Sequence, residues 1–443
     1  MGILPQIIFA IALFIGLGYF ANNVRKLRRN IKLGQDVDTS DDKPQRWKNM
    51  AKIALGQSKM VVRPIAGFLH IIVYVGFVII NIEVLEIIID GLIGTHRIFS
   101  GAGEIYDILI GTFELLAFAV LVSVVVFWIR RNVIKLKRFM SSEMKGWPKS
   151  DGNIILYFEV VLMCLFLTMN GADLQLQLNG AEGYHTAGSF PISQWLLPIF
   201  DGLSNATLII IERAAWWMHI LGILAFLNYL YFSKHLHILL AFPNTFYGNL
   251  KPKGQFSNLE AVTTEVMMMM DPNADPFAAA PEGTEDEVPA KFGASDVQDL
   301  SWVNLLNAYT CTECGRCTSE CPANQTGKKL SPRKIMMDTR DRLVEVGKNI
   351  DANKGVFNDD GKQLLGDYIT NEELWACTSC NACVEACPVS IDPLNIIMQM
   401  RQYLVMEQSA APMELNNMMT NIENNGAPWP YNQMDRLNWK DEN

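Results

Sequence analysis

The sequence predicts an all-α protein in two parts: a five-helix transmembrane bundle followed by a soluble α-helical domain. Three observations predict it. Half of the 443 residues are hydrophobic, more than one compact soluble domain calls for. Five apolar stretches are each long enough to cross roughly 30 Å of hydrocarbon. Beyond about residue 245 the chain turns polar, with no further stretch of that kind. The expected organisation is a membrane domain over 1–240, an acidic flexible linker over 241–300, a soluble domain over 301–410 and a tail over 411–443.

The first span, near 3–21, is followed rather than preceded by its charges ("NNVRKLRRNIK"). With no small-x-small cleavage pattern it reads as a retained anchor, not a signal peptide. The other spans fall near 65–93, 105–128, 153–176 and 207–232. Lys and Arg crowd the segments after span 1 and after span 3 ("RRNVIKLKRFM"). The loop between spans 2 and 3 has only Arg97, and the long loop before span 5 has none. The positive-inside rule then puts the N-terminus outside, and the basic loops and soluble half in the cytoplasm, across a bacterial inner membrane. Cys164 stands alone in span 4, where a small core hydrophobe is expected.

The net charge of −9 does not mark an acidic functional surface. Much of the excess acid lies in "EVMMMMDPNADPFAAAPEGTEDEVPAKFGASD", which has linker composition. Basic runs flank the spans instead of forming a stripe beside aromatics, so nucleic-acid binding is not indicated.

The remaining cysteines form "CTECGRCTSECPA" (Cys311, Cys314, Cys317, Cys321) and "CTSCNACVEACPV" (Cys377, Cys380, Cys383, Cys387). Each reads C-x2-C-x2-C-x3-C-P, the two-cluster bacterial ferredoxin spacing. Three thiolates of a tight loop hold one face of a [4Fe–4S] cube, and the fourth reaches the other cube. Cys311, Cys314, Cys317 and Cys387 are therefore assigned to one cluster, and Cys377, Cys380, Cys383 and Cys321 to the second. Pro322 and Pro388 turn the chain away. Zinc favours paired C-x2-C units, and disulfides are rare in the cytoplasm. Between and after the runs, two helices are expected, capped by Ser331 with Pro332 and by Asp392 with Pro393.

Histidine inside an apolar span asks for a task. His219 and His237 are 18 residues apart, five helical turns, hence on one face about 27 Å apart if the helix is continuous; His235 would point away from that face. His70 enters span 2 at the depth His237 reaches, so the two imidazoles could be the axial ligands of a b-type haem. Carboxylates in spans 2 and 3, Glu83, Glu86 and Glu114, are candidate proton carriers for a quinone, although Glu86 could equally be a helix-end residue. Glu212 and Arg213, being adjacent, are not expected to pair. Lys59 and Arg63 read as solvated basic flank.

"LHIIVYVGF" followed by "MHILGILAFLNYLYFSKHLHI" resembles the nitrate reductase gamma-subunit family of five-span di-haem cytochromes b, over roughly residues 1–240. The resemblance implies His70 and His237 as ligands of one haem and His219 as a ligand of a second. Its fourth histidine corresponds here to Ile80, so a second haem would be lost, five-coordinate, or completed by His96 or His185. The soluble half is similar to iron–sulfur regions of heterodisulfide-reductase-like subunits. In those relatives a stretch like "NIENNGAPWPYNQMDRLNW" leads into cysteine-rich CCG domains, whereas this chain stops at Asn443. The expectation is thus the quinone-reacting subunit of an oxidoreductase: electrons pass between a cytoplasmic CCG-domain or flavoprotein partner, docked on the cluster domain and the 411–443 tail, and the quinone pool. The alternative is a haem-free iron–sulfur assembly or copper-handling factor.

Overall fold

A computed structural model describes residues 3–272 and 291–441. Residues 273–290, which include much of the expected acidic linker, lie outside the described residues. The described residues form helices joined by turns and irregular loops, with no strand pairing among them beyond two isolated bridges, Gln35–Ser301 and Leu365–Ile369. Five helices are long and apolar enough to cross a membrane: α1 (Ile3–Ile31), α2 (Pro64–Ile93), α3 (Glu104–Asn132), α4 (Trp147–Leu178) and α5 (Asn205–Tyr229), the last running on through a 3₁₀ turn to Phe232. Four labelled helices of the soluble half and its approach follow: α6 (His237–Phe246), α7 (Trp302–Thr310), α8 (Pro332–Ala352) and α9 (Pro393–Met406). Further helices run over Lys43–Met50, Glu260–Met270 and Met413–Asn425, joined by shorter helical turns.

The expected start signals operate. The Ser204 hydroxyl accepts from the Thr207 amide at the head of α5. Ser331 accepts from Lys334 N and Asp392 from Asn395 N, each with Pro in the first turn of α8 or α9. These contacts satisfy amides that have no carbonyl partner within the helix. Gly94, in the left-handed region at φ 85°, ends α2.

Around the bundle, apolar side chains such as Ile3, Phe14, Ile65, Phe68 and Ile210 face outward. Water would not tolerate so broad an apolar belt on a stable surface, and lipid does. Cys164 is exposed on that outer face, which corrects the expectation of a core position. The inside of the bundle is a separate core of Phe9, Ile110, Phe166, Trp216, Ile220 and their neighbours.

Span 5 departs from expectation. The helix breaks after Tyr229 into two 3₁₀ turns, with Ser233 extended between them, and restarts at His237. Asp151, at the start of α4, stitches the break: its carboxylate accepts from Tyr229 Oη (2.7 Å), Ser233 Oγ (2.7 Å) and Lys234 N (3.1 Å). His219 and His237 therefore do not share one helical face. The 18-residue spacing carried no sign of the break because Ser and Lys are tolerated by a helix.

The soluble half sits on the end of the bundle from which the basic segments emerge, and one core crosses the boundary. Leu27, Ile155, Phe226, Leu230 and Leu236 of the bundle pack in the same buried cluster as Leu305, Tyr309, Leu343 and Ile397. Polar contacts repeat the message. Asn30 Nδ2 donates to Tyr309 Oη at 2.9 Å, Arg29 pairs with Asp351, and Gln35 exchanges backbone hydrogen bonds with Leu300 and Trp302. Within 241–300 the structure is also more ordered than linker composition suggests: α6 reaches Phe246, and Ala294, Val297 and Leu300 are fully buried. Their burial follows from Asp296, whose carboxylate holds Arg342, drawing this segment into the core.

Candidate metal centres

The two cysteine runs fold alike. In each, the residue two after the first cysteine (Glu313, Ser379) and the residue four after it (Gly315, Asn381) take positive φ. Each bend leads into a five-residue helical turn, Arg316–Glu320 or Ala382–Ala386, that carries the third cysteine. The two turns pack on each other. Cys387 thereby comes to the loop of Cys311, Cys314 and Cys317, and these four with Cys383 line a partly open space of about 380 Å³. Cys321 falls instead among the electrostatic neighbours of Cys377 and Cys383. All eight thiols are free of disulfides. Among the described residues no three His, Cys, Asp or Glu side chains converge as a single-ion site; the thiols surround a space rather than a point.

The surroundings suit thiolate. Ile391 N donates to Cys387 Sγ at 3.2 Å and Ser379 N to Cys377 Sγ at 3.4 Å, and amide donors of this kind tune cluster potentials. Burial pushes the bare thiols up, Cys311 to about 12 and Cys387 to about 11. A cationic cluster would reverse that preference and bind the deprotonated form.

The first run is clamped to the bundle by charges that spacing did not single out. Glu313, between Cys311 and Cys314, is buried and ion-paired with both Lys234 and Arg340. Lys234 Nζ also donates to Pro148 O at 2.6 Å. Arg333, fully buried, pairs with Glu143 and donates to Arg138 O at 2.6 Å, while Arg316 donates to Lys59 O at 2.8 Å. Arg63 is not solvated flank: it donates to Ser319 Oγ (2.8 Å) and Glu320 Oε1 (3.0 Å).

Beside this clamp lie His70 and His237, ring centroids 6.4 Å apart and planes at 42°. His237 Nδ1 bonds to Lys234 O at 3.1 Å, which leaves Nε2 as the ring nitrogen not engaged by the backbone; His70 Nδ1 is buried without a partner. Arg316 is an electrostatic neighbour of His70, Cys314 and Cys387 alike. His235, expected to point away, instead lies 5.4 Å from His237 ring to ring, because the helix break redirects it. His219 is buried between α4 and α5, its Nδ1 bonded to Leu162 O at 3.0 Å and its ring 6.0 Å from Phe166.

The three carboxylates lie toward the other end of the bundle; along α2 alone, Glu83 is about 20 Å from His70. Glu86 is buried, not a headgroup residue, and accepts from Phe99 N (2.9 Å) and Tyr106 Oη (3.0 Å). Glu114 accepts from Asn170, Ile192 N and Ser193 N, so it ties the loop before α5 to α3. Arg213 does pair with its neighbour Glu212: its guanidinium is long enough to fold back on the adjacent carboxylate.

Residues 310–391 match the 4Fe-4S dicluster domain family. The dicluster segment thus coincides with the paired cysteine turns. A probable iron-sulfur-binding oxidoreductase, FadF, of Bacillus subtilis is 28% identical over 98% of this chain and 59% of its own length. The EtfAB:quinone oxidoreductase of Syntrophomonas wolfei is 26% identical over 92% of the chain and 55% of its own. A probable membrane-anchored ferredoxin of Chromohalobacter salexigens is 31% identical over 35% of the chain and 25% of its own, and heterodisulfide reductase C subunits of Methanosarcina acetivorans and Methanosarcina mazei match over 24% and 23% of the chain. The chain spans little more than half of the two long relatives. No solved structure matches. The likeness implies electron transfer by an iron–sulfur protein whose five apolar helices suit a membrane.

Proposed function

We propose that the protein carries electrons between a redox partner, two [4Fe–4S] clusters, a haem b on His70 and His237, and the membrane quinone pool. The partner would be a CCG-domain or flavoprotein subunit, docked on the cluster domain and on the 411–443 tail, which presents Met413, Trp429 and Trp439 to solvent. The observation that carries the reading is the 6.4 Å histidine pair set beside the first cysteine loop. Two imidazole nitrogens each about 2 Å from one metal, with roughly 1 Å more to each ring centre, put centroids about 6 Å apart. Bis-histidine haem supplies a one-electron carrier in a low-dielectric interior.

This chain's own residues do the rest. The Lys234 carbonyl fixes the His237 tautomer that leaves Nε2 unprotonated, a usual task of outer partners around a ligating histidine. Arg316 places a positive charge between the first cysteine loop and His70, which favours an added electron on either side. The shared core keeps the separation constant. That the Syntrophomonas wolfei relative is a quinone oxidoreductase supports the membrane end of the path, and the buried carboxylates offer proton carriers for it.

The test is reoxidation of dithionite-reduced protein in vesicles by a short-chain quinone, followed by cluster paramagnetic resonance after rapid freezing. Reoxidation should slow at least tenfold in His70→Ala. Equal rates in wild type and variant would overturn the reading.

A further inference from the structure

The end of the bundle remote from the cysteine loops holds a polar space of about 350 Å³ between α2, α4, α5 and the loop after α2. Five carboxylates line it, Glu83, Glu86, Asp90, Asp173 and Glu212, against two guanidiniums, Arg97 and Arg213. Most of these charges are accounted for. Glu86 is held by Phe99 N and by Tyr106 of α3. Asp90 accepts from Arg97 N at 2.7 Å and Ile98 N at 3.2 Å. Arg97 pairs with Asp173 Oδ2, and Arg213 with Glu212, which also accepts from Tyr184 Oη at 3.1 Å.

Two oxygens are left over. Glu83, 3% exposed, has Oε2 buried with no hydrogen-bond partner, and so does Asp173, fully buried, at Oδ1. Both open on the same space. Arg97 is the cation that acts on Glu83, against the like charges of Glu86, Asp173 and Glu114 of α3, and its guanidinium is already paired with Asp173. An ionised Glu83 so outnumbered costs several kcal/mol inside a membrane protein, whereas a protonated Glu83 and an Asp173 lone pair complement each other, directly or through water. A metal ion does not fit, since no three His, Cys, Asp or Glu among the described residues are set to hold one. The mouth is guarded by His96, with its side chain 26% exposed, 3.8 Å from Asp173 Oδ1 and packed on Tyr184. Glu83 lies ten residues inside the far end of α2, about 15 Å in.

We propose that this pocket is a proton-exchange site: Glu83 holds a proton that it releases into the bundle and regains from the far aqueous face through Asp173 and His96. The acceptor is the quinone of the proposed path: a quinone that takes two electrons takes two protons. For each electron Glu83 therefore gives its proton to a quinone oxygen, is left a carboxylate, and is restored to the acid by a proton from the far face. The driving event rests on the electron-transfer reading; the resting proton does not.

The test is infrared difference spectroscopy on the full chain in vesicles, triggered first by dithionite reduction and then, separately, by a pH step on oxidised protein. A carboxylic-acid C=O band, sensitive to D₂O, should be present in wild type and in the exposed-loop control Glu182→Gln, and lost in Glu83→Gln. Asp173→Asn, which keeps the acid but removes the relay, should retain the band and slow its exchange. Haem absorbance of the same sample reports on the electron carriers. If haem is missing while the pH step still shows the Glu83 band, the proton site stands and the cytochrome reading falls. A spectrum in which Glu83→Gln removes no band under either trigger overturns the site.

Discussion

Lys234→Met removes the ammonium that joins the first cysteine loop to the bundle. Lys234 and Glu313 side chains are 8% and 2% exposed. Losing one partner of a buried ion pair costs about 3–5 kcal/mol. Arg340 remains on Glu313 at 2.7 Å, so the loss should fall near the lower end, about 3 kcal/mol. The exposed pair Lys329–Glu372, at 68% and 62%, is the control, and Lys329→Met should change stability by less than about 0.5 kcal/mol. The assay is urea titration of the purified protein in detergent, read by cluster absorbance and compared with wild type. pH adds a second reading. Burial pushes the Glu313 carboxyl up, but Lys234 and Arg340 outweigh it and hold it below the usual carboxylate range. A depressed acid contributes stability above its unfolded value, about 4.3, and loses it as pH falls through the folded value. Wild type should therefore lose stability on acidification below about pH 5 more steeply than Lys234→Met. A Lys234→Met loss no larger than the control's, with an unchanged acid limb, would refute the clamp.

Cys387→Ala should remove the same paramagnetic signal as Cys311→Ala, and Cys321→Ala the same as Cys377→Ala; if Cys387→Ala instead spares the Cys311 signal, the crossed assignment is wrong. Gly34 and Gly347 mark where the halves touch most closely. A Cβ at Gly34 would meet Trp302 N at 2.6 Å and Leu300 O at 2.7 Å, and at Gly347 the Asn30 amide at 2.4 Å, while Gly101 faces open space. Gly34→Ala should cost about 1–3 kcal/mol and admit protease between the halves, whereas Gly101→Ala should do neither; equal digestion of the two would argue against the docked junction. His235→Ala should leave any b-type absorbance in place, since the His237 tautomer is set by Lys234; its loss would move the ligand assignment to His235.

What the sequence made legible was whatever local pattern encodes. Five apolar runs, two Ser/Asp-Pro caps and the repeated cysteine spacing each became the element expected, because span length, capping chemistry and loop closure act within a few residues. What escaped it was set by partners distant in the chain. The break after Tyr229 depends on Asp151, some eighty residues earlier, and it turned His235 toward His237 while taking His237 off the face of His219. Glu313 lay inside the cysteine motif and Lys234 inside "SKHLH", so both were in view, but their pairing exists only once the soluble half docks. The Glu212–Arg213 pair was not legible because adjacent positions do not face each other on a helix, and only the length of the guanidinium lets it fold back on the carboxylate. Glu83 and Glu86 in span 2 and Arg97, the one Arg or Lys of its loop, were the visible hints of the polar pocket at the far end.

The central claim is that electrons cross between the cysteine clusters and the bundle at the histidine pair. A reduced-minus-oxidised optical spectrum of the purified protein, with iron and haem quantified per chain, tests it most directly. The account predicts a b-type haem signal that disappears in His70→Ala and in His237→Ala while cluster iron and sulfide remain. Iron and labile sulfide with no haem in the wild-type protein would contradict it.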